Sequence, residues 1–543
     1  MSLNRWFNDT VYGMPPFLDL LTVSPDLLAL GEPTHGESAF LQLRNDAFLA
    51  LAEHGYRSIA LESDRAAGLI ADEFVQGGDV PLDQALTEGF SHGFGAAPAN
   101  RDLLLRMREW NTGRPAAERL TFHGFDAPVE MESAPSPRHH LDQVCHFLDL
   151  DRSAEIDDLI GDEARWRDPA AIWEPGRSVG RSTEAQRLRV IADEMLTELY
   201  LRAPWKSAGW PAAFVHATAA VALLRYHAAA AAPLAQDERF ARLAGVRDAL
   251  MAENLLAIRA AEAHRGPTLV FAHNTHLQRH PSTMTLAGTE MTWAGAGAIV
   301  ASLLGDRYAV IVGSLGASPA LGIEPPAAST YEGRLQQETD LPRYLPASDI
   351  GAAEQRTHDY RYFPLDRATI EHADAVLHIP TGVDAAVLAD RIVALPGVEQ
   401  VVASEEDGSP EAAWGDRFFF VGPDRRQPFA TIVERDVPGF DEASQLDRPG
   451  VFRLNLDLGR AEFERLFGFP PKAFEEHRHE FDFARLDTVS PHPGYALYGF
   501  ASIVMPGPQL LPEIDRLLAI AHGRAADRDD RAARRATHPQ SGA

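Results

Sequence analysis

Two short histidine motifs, more than two hundred residues apart, hold the side chains best suited to chemistry. The first is Leu28-Ala29-Leu30-Gly31-Glu32-Pro33-Thr34-His35-Gly36, with Glu32 and His35 at i and i+3. The second is Leu269-Val270-Phe271-Ala272-His273-Asn274-Thr275-His276. A histidine moves protons near neutral pH, and a carboxylate beside it fixes its tautomer and stabilises the imidazolium. Glu62, after Ala60-Leu61, adds a second acid. Together these residues supply a water-activating base, carboxylates to orient it, and a hydrogen-bonding or cationic group for an oxyanion. The same residue types also fit two other uses. They could be buried polar groups tying strand ends together. Alternatively, His273-x-x-His276 with Glu32 and Glu62 could supply two nitrogens and two carboxylates to zinc or manganese. A serine nucleophile is disfavoured because no Gly-x-Ser-x-Gly elbow follows a predicted strand. Gly313-Ser314-Leu315-Gly316 is expected to be a turn. No Gly-x-Gly-x-x-Gly follows the first apolar run, which argues against a dinucleotide site.

These groups need strand ends to hold them. Each motif opens on an apolar run and then switches to polar residues, as a buried strand does on reaching a cleft. Residues 27–31 and 58–62 are expected to be parallel strands. The helix between them carries Phe40, Leu43, Phe48, Leu49 and Leu51 and ends at Gly55. Leu120 to Phe125 predicts a third strand, running into Asp126. Residues 268–272, Tyr308 to Val312 and Ala373 to Ile379 predict three more. From 141 to 263 the pattern is helical, and this insertion would cover the carboxyl ends of the strands. The fold class is therefore α/β: a largely parallel sheet with a long helical insertion, followed by a smaller α+β domain. Domain boundaries are expected at 1–380 for the first unit and 384–522 for the second. The second unit would open on a helix from Ala385 to Ala394. Strands from Arg417 to Val421, Phe429 to Val433, Val451 to Leu456 and Leu497 to Val504 follow, with a closing helix near Ile514 to Ala521. Residues 523–543, rich in charged and small side chains, are expected to fray.

Composition narrows the partners. A chain of 543 residues exceeds one ordinary core, which favours two domains. The net charge of −28 opposes a phosphate-backbone surface, so no nucleic-acid partner is expected. The single cysteine, Cys145, rules out a disulfide within one chain and is expected to be a helix-buried small hydrophobe. No secretory signal is expected from Met1–Asp9. The alanine-rich stretch from His216 to Leu234 is interrupted by Arg225, Tyr226 and His227, so no membrane span is expected. A cytoplasmic location follows as the default. Trp173, Trp205 and Trp210 on the insertion could pack on an apolar substrate or fill helix–helix contacts.

The ordered set Gly31-Glu32-Pro33-Thr34-His35-Gly36, Arg44, Ala60-Leu61-Glu62, Glu109-Trp110-Asn111, Arg247-Asp248-x-x-Met251-Ala252-Glu253-Asn254 and Ala272-His273-Asn274-Thr275-His276 resembles the erythromycin esterase family over about residues 15–380. The resemblance implies hydrolysis of an ester or macrocyclic lactone by activated water, with no cofactor and no bound metal. It carries the general-base role onto His35, with Glu32 in support and Glu62 and His273 completing the catalytic set. Arg44, His276, Asn274, Asp126 and Arg247 are expected at the substrate. The stretch Glu88-Gly89-Phe90-Ser91-His92-Gly93-Phe94 departs from the family pattern, which bears on pocket shape. A metal-dependent hydrolase and a catalytically inactive binding or scaffold protein are the competing functions. The second unit resembles a bacterial family of unknown function, DUF6194. It does so through Leu395-Pro396-Gly397-Val398, Pro428-Phe429-Ala430-Thr431-Ile432-Val433 and Pro449-Gly450-Val451-Phe452-Arg453-Leu454-Asn455, and no activity carries over.

Overall fold

The computed structural model describes residues 18–537 except 22, 130–132, 287, 338–340, 358–361, 407, 423–424, 426 and 449. The N-terminal stretch Met1–Asp9 and the end of the tail, 538–543, lie outside the described residues.

The first unit is built on β1 (Leu27–Glu32), whose residues are all buried. Its continuous apolar run suits a strand covered on both faces. Pro33-Thr34-His35-Gly36 then turns the chain, with Gly36 at φ +87°, a conformation that favours glycine. The Glu37 carboxylate accepts a hydrogen bond from the Ala39 amide (3.1 Å) and caps α1 (Ser38–Glu53). That helix buries Phe40, Leu43, Phe48 and Leu51 against the sheet. The remaining strands are β2 (Ser58–Asp64), β3 (Thr121–Asp126), β4 (Thr268–His273), β5 (Tyr308–Ala317), β6 (Arg343–Pro346) and β7 (Ala375–Thr381). Their order in the sheet is β3-β2-β4-β1-β5-β7-β6. All pairings are parallel except that of the edge strand β6, which runs antiparallel to β7. The α/β expectation holds. β1 lies between β4 and β5 although β2 and β3 follow it in sequence. This reversal of strand order brings the carboxyl ends of β1, β2 and β4 together.

One expectation needs correction here, and one element was unforeseen. Gly313-Ser314-Leu315-Gly316 is no turn: β5 runs through it to Ala317, buried throughout. A Cβ at Gly313 would lie 2.4 Å from the Gly31 carbonyl, so the glycine serves close strand packing. The hairpin Ser282–Leu286 with Thr289–Trp293, after β4, was not expected at all.

Between β3 and β4 the insertion contributes α2 (Arg138–Leu148), α3 (Thr183–Arg202), α4 (Trp210–Ala230) and α5 (Gln236–Glu262), joined by shorter helical turns. Leu141, Val144, Leu188, Ile191, Ala217 and Ala220 form its own core, and Cys145 is buried among them.

The second unit begins with α6 (Ala385–Val393). Its strands are β8 (Val398–Val402), β9 (Arg417–Val421), β10 (Ala430–Val433), β11 (Arg453–Asp457), β12 (Val489–Pro491) and β13 (Phe500–Val504). They form an antiparallel sheet in the order β8-β9-β10-β11-β13-β12. The closing helix α7 spans Leu511–Thr537, so residues 523–537, expected to fray, are helical. Ala521 and Ala525 continue its buried stripe, and Arg524 and Arg528 pair with Asp457 of β11 at 3.3 and 2.5 Å. The arginines that gave this stretch a tail-like composition hold it against the sheet. Each unit has a main hydrophobic core of its own, with Ala99 of the first unit buried in that of the second and Leu41 packed against both, and Gln42 Nε2 of α1 donates to the Met505 carbonyl across their contact (2.8 Å).

Candidate active site

The first polar groups past the carboxyl ends of β1, β2 and β4 converge. Glu32 ends β1, and three residues later His35 Nδ1–H donates to its Oε1 at 2.8 Å. The other ring nitrogen, Nε2, lies 3.9 Å from Glu62 Oε1 at the end of β2. The His35 side chain is 41% exposed, whereas those of Glu32 and Glu62 are buried. It is the member of the group open to a ligand.

Glu62 is the hub. Its Oε2 accepts from the His273 backbone amide (2.9 Å), and its Oε1 accepts from Arg247 Nη2 (3.2 Å). His276 Nε2 lies 3.3 Å from the same Oε1. Burial opposes ionisation of Glu62, but His276, His35 and Arg247 hold the carboxyl well below the usual range. Glu32 behaves oppositely: burial pushes it above the usual range, only partly offset by the hydrogen bond from His35. Burial draws His35 down, yet the bond to Glu32 and the charge of Glu62 outweigh it, so its pKa lies above the ordinary imidazole value.

The two histidines of the second motif differ. In His276, Nδ1–H donates to Asp248 Oδ1 at 2.8 Å. Burial works against its charge, but Asp248 and Glu62 raise its pKa to about 10. In His273, Nδ1 accepts from the Thr275 amide (3.3 Å), which leaves the ring proton on Nε2. Burial and the nearby His35 lower its pKa to about 3, so the ring is neutral. Its ring meets those of His35 (tilted) and Phe363 (edge-on), with centroids 5.2 and 4.7 Å away.

Arg247 on α5 is held by Asp126, with Nε to Oδ1 at 3.0 Å and Nη2 to Oδ2 at 2.6 Å. Asp126 also accepts from His92 Nε2 (2.8 Å). Burial opposes the charge on Asp126, but Arg247 and His92 keep its carboxyl below the usual range. The side chains of Asp126 and Arg247 are 0% and 23% exposed, so only the arginine can reach a ligand.

Three residues expected at the substrate do not face the opening. Arg44 is 1% exposed and donates to Asn45 and Asn100, with its guanidinium over the Phe271 ring. It lies beneath the site and feels Glu32 only as a charge. Asn274 is also buried, donating to the Gly313 carbonyl and accepting from the Gly313 amide at 2.9 and 3.0 Å. It pins the end of β4 to β5. Asp126 supports Arg247 rather than facing the opening.

Four contributors went unassigned in the sequence. Asp248 lies beside Arg247 in a motif already singled out. It accepts from His276, from Trp293 Nε1 (2.7 Å) and from the Ala296 amide (2.8 Å). His92 and Phe94 lie in the Glu88–Phe94 stretch already noted for its bearing on pocket shape, with Phe94 opening a short 3-10 turn 5.2 Å from the His35 ring; Phe363, on a loop, has no such signal. Nearby, a cavity of about 180 Å³ lies between Asp64, Arg65 and Asp126 at the sheet and Phe214, Val215 and Thr218 of α4. The insertion thus forms a wall over the ends of β2 and β3. Its tryptophans do not line this cavity: Trp173 and Trp205 are exposed, and Trp210 stacks on Phe214.

The profile of the erythromycin esterase family matches residues 51–382, and that of the family of unknown function DUF6194 matches residues 383–535. The chain belongs to the erythromycin esterase family. As a member it is a carboxylic ester hydrolase-like enzyme, with the DUF6194-like unit appended. The matched segment starts within α1, so β1 joins the erythromycin esterase domain through its pairing with β4 and β5. A comparison with curated proteins finds no match. Among solved structures, the chain is similar to a succinoglycan biosynthesis protein at 16% identity and TM-score 0.50, covering 68% of this chain and 90% of that one. A Bacillus cereus protein matches at 16% and 0.51, covering 70% and 92%. A mutant erythromycin esterase in its open conformation matches at 17% and 0.48, covering 70% and 95%. At these identities the likeness is one of fold. No helix among the described residues is long and apolar enough to cross a membrane.

Proposed function

We propose that the protein hydrolyses an ester or macrocyclic lactone with water activated by His35. The observation that carries this reading is the one exposed imidazole of the group, held by Glu32 at 2.8 Å on Nδ1 and facing Glu62 at 3.9 Å on Nε2. A water within hydrogen-bonding reach of both Nε2 and Glu62 gives its proton to Nε2 and attacks the carbonyl carbon. Glu32 stabilises the resulting imidazolium. The tetrahedral oxyanion is stabilised by Arg247 and by the cationic His276. Collapse breaks the carbon–oxygen bond, and His35 returns the proton to the leaving alkoxide. His273, held neutral by burial and the neighbouring His35, packs against His35 and positions it.

The test is kcat/KM of His35→Gln on any accepted substrate from a lactone and ester panel. A loss of ~10²–10⁴-fold is expected for removal of a general base. Activity within about threefold of the parent refutes the role. Mass spectrometry assigns the bond: one water gained with the product in one piece indicates a lactone, and two fragments indicate an acyclic ester.

Metal-assisted hydrolysis is a second reading, and one observation favours it. Among the described residues, His139, His140 and His216 form a group able to ligate a metal ion. It lies on α2 and α4, so a metal-activated water would approach the substrate from the insertion. Loss of kcat on chelation, restored by added metal, selects this reading.

A further inference from the structure

The same three imidazoles support a further inference: binding of an ion there is common to both hydrolytic readings, whereas its role as a clamp rests on the first. His139 and His140 lie in the first turn of α2, and His216 in the second turn of α4. The ring centroids are 5.3 to 5.6 Å apart. One nitrogen from each ring lies within 4.8 Å of the others. The closest pair, Nδ1 of His140 and Nδ1 of His216, is separated by 3.1 Å. Two nitrogens bound at 2.0–2.1 Å to a tetrahedral ion would be about 3.3 Å apart. Only a small opening of that pair would admit the ion.

The chemistry of the donors agrees. An all-imidazole donor set suits zinc, copper or nickel and is poor for magnesium or calcium. His139 is exposed, His216 half-buried and His140 buried, which leaves the fourth coordination position on the solvent side.

We propose that His139, His140 and His216 bind one zinc-class transition-metal ion, which clamps α2 to α4. The ion is set apart from the proposed chemistry, since none of Glu32, His35, Glu62, Arg247 or His276 belongs to the group. Its effect passes along α4. Phe214, Val215 and Thr218, on either side of His216, line the cavity beside Asp126. Fixing α4 therefore fixes one wall of that cavity, and the ion tunes substrate fit rather than the bond-making step.

The full-length chain, stripped with EDTA and dialysed, is titrated with Zn²⁺ by calorimetry, with elemental analysis of the reloaded protein. One ion per chain is expected, with a rise in the thermal midpoint. His139→Ala, on the surface, and His216→Ala should each weaken binding by about tenfold or more. Circular dichroism should be unchanged. Sub-stoichiometric uptake, or full affinity in both variants, overturns the site. Hydrolysis by the stripped chain addresses the clamp: a raised KM at unchanged kcat supports it. Loss of kcat in proportion to the metal removed overturns the clamp in favour of a reacting ion.

Discussion

Asp248→Asn offers the most direct test of the electrostatics at the site. Asp248 holds His276 through a 2.8 Å hydrogen bond, and His276 has a pKa of about 10 because Asp248 and Glu62 outweigh its burial. With charge centres about 4 Å apart and an effective dielectric near 20, one carboxylate contributes ~4 kcal/mol. That corresponds to about three pH units. Removing the charge while keeping the shape should bring His276 down to roughly neutral. If the imidazolium stabilises the oxyanion, kcat/KM must fall as that proton is lost. The parent should show a rising limb above pH ~6.5, set by the raised His35, and a falling limb near 10. In Asp248→Asn the falling limb should move to about 7, narrowing the bell. The assay is a kcat/KM profile from pH 5 to 10.5 with circular dichroism at each point. Stability should shift as well. His276 has a folded pKa above its unfolded one, so its stabilising contribution is whole below ~6.5 and is lost as pH rises through about 10. A folded variant with an unmoved falling limb would refute the assignment of His276 as the stabilising cation.

Other outcomes test the placement of individual residues. Arg44→Met should lower the thermal midpoint, because buried partners lose their donor, yet leave KM within about twofold; a large rise in KM would return Arg44 to the substrate. Gly313→Ala should cost about 1–3 kcal/mol, read as a lower urea midpoint, since its Cβ would press on the Gly31 carbonyl; an unchanged midpoint would mean that the strands part without cost. Residues 1–382 should fold alone, given a main core of their own; an aggregated or molten product would show that the second unit completes the first.

Much of this arrangement was legible in the sequence, for identifiable reasons. β1, β2 and β4 are short apolar runs that end abruptly in acid or histidine, so both the strands and the groups at their ends were visible. Hydrogen-bond geometry was not. Asn274 was expected at the substrate, and Asn111 belongs to the set that carries the family resemblance. Instead, Asn274 pins β4 to β5, and Asn111 donates to the Val75 and Leu120 carbonyls and accepts from the Leu120 amide. Sequence spacing cannot separate an amide that faces a substrate from one that faces a backbone. Arg44 was misplaced for a related reason: nine residues past His35 the helix has turned its side chain under the sheet. Asp248 lay in plain view, but only the fold brings α5 beside the turn after β4. The tail misled because arginines paired with Asp457 look, in composition, like solvated ones.

The central position of β1 has a consequence for motion. It is hydrogen-bonded on both sides, to β4 and to β5, and every residue in it is buried. The amides of such a strand exchange with solvent only when the whole domain opens, whereas surface helices open locally at far lower cost. His35 follows this strand by three residues and is tied back to it through Glu32. The proposed base therefore takes its position from one of the slowest-opening parts of the molecule. The cavity wall on α4 belongs to a layer with a core of its own, and where the proposed ion is absent it can move without disturbing the base. Substrates of different girth can then be admitted by movement of the insertion while the proton-transfer geometry stays fixed. In hydrogen exchange, Leu28 and Leu30 should remain protected long after α4 has exchanged.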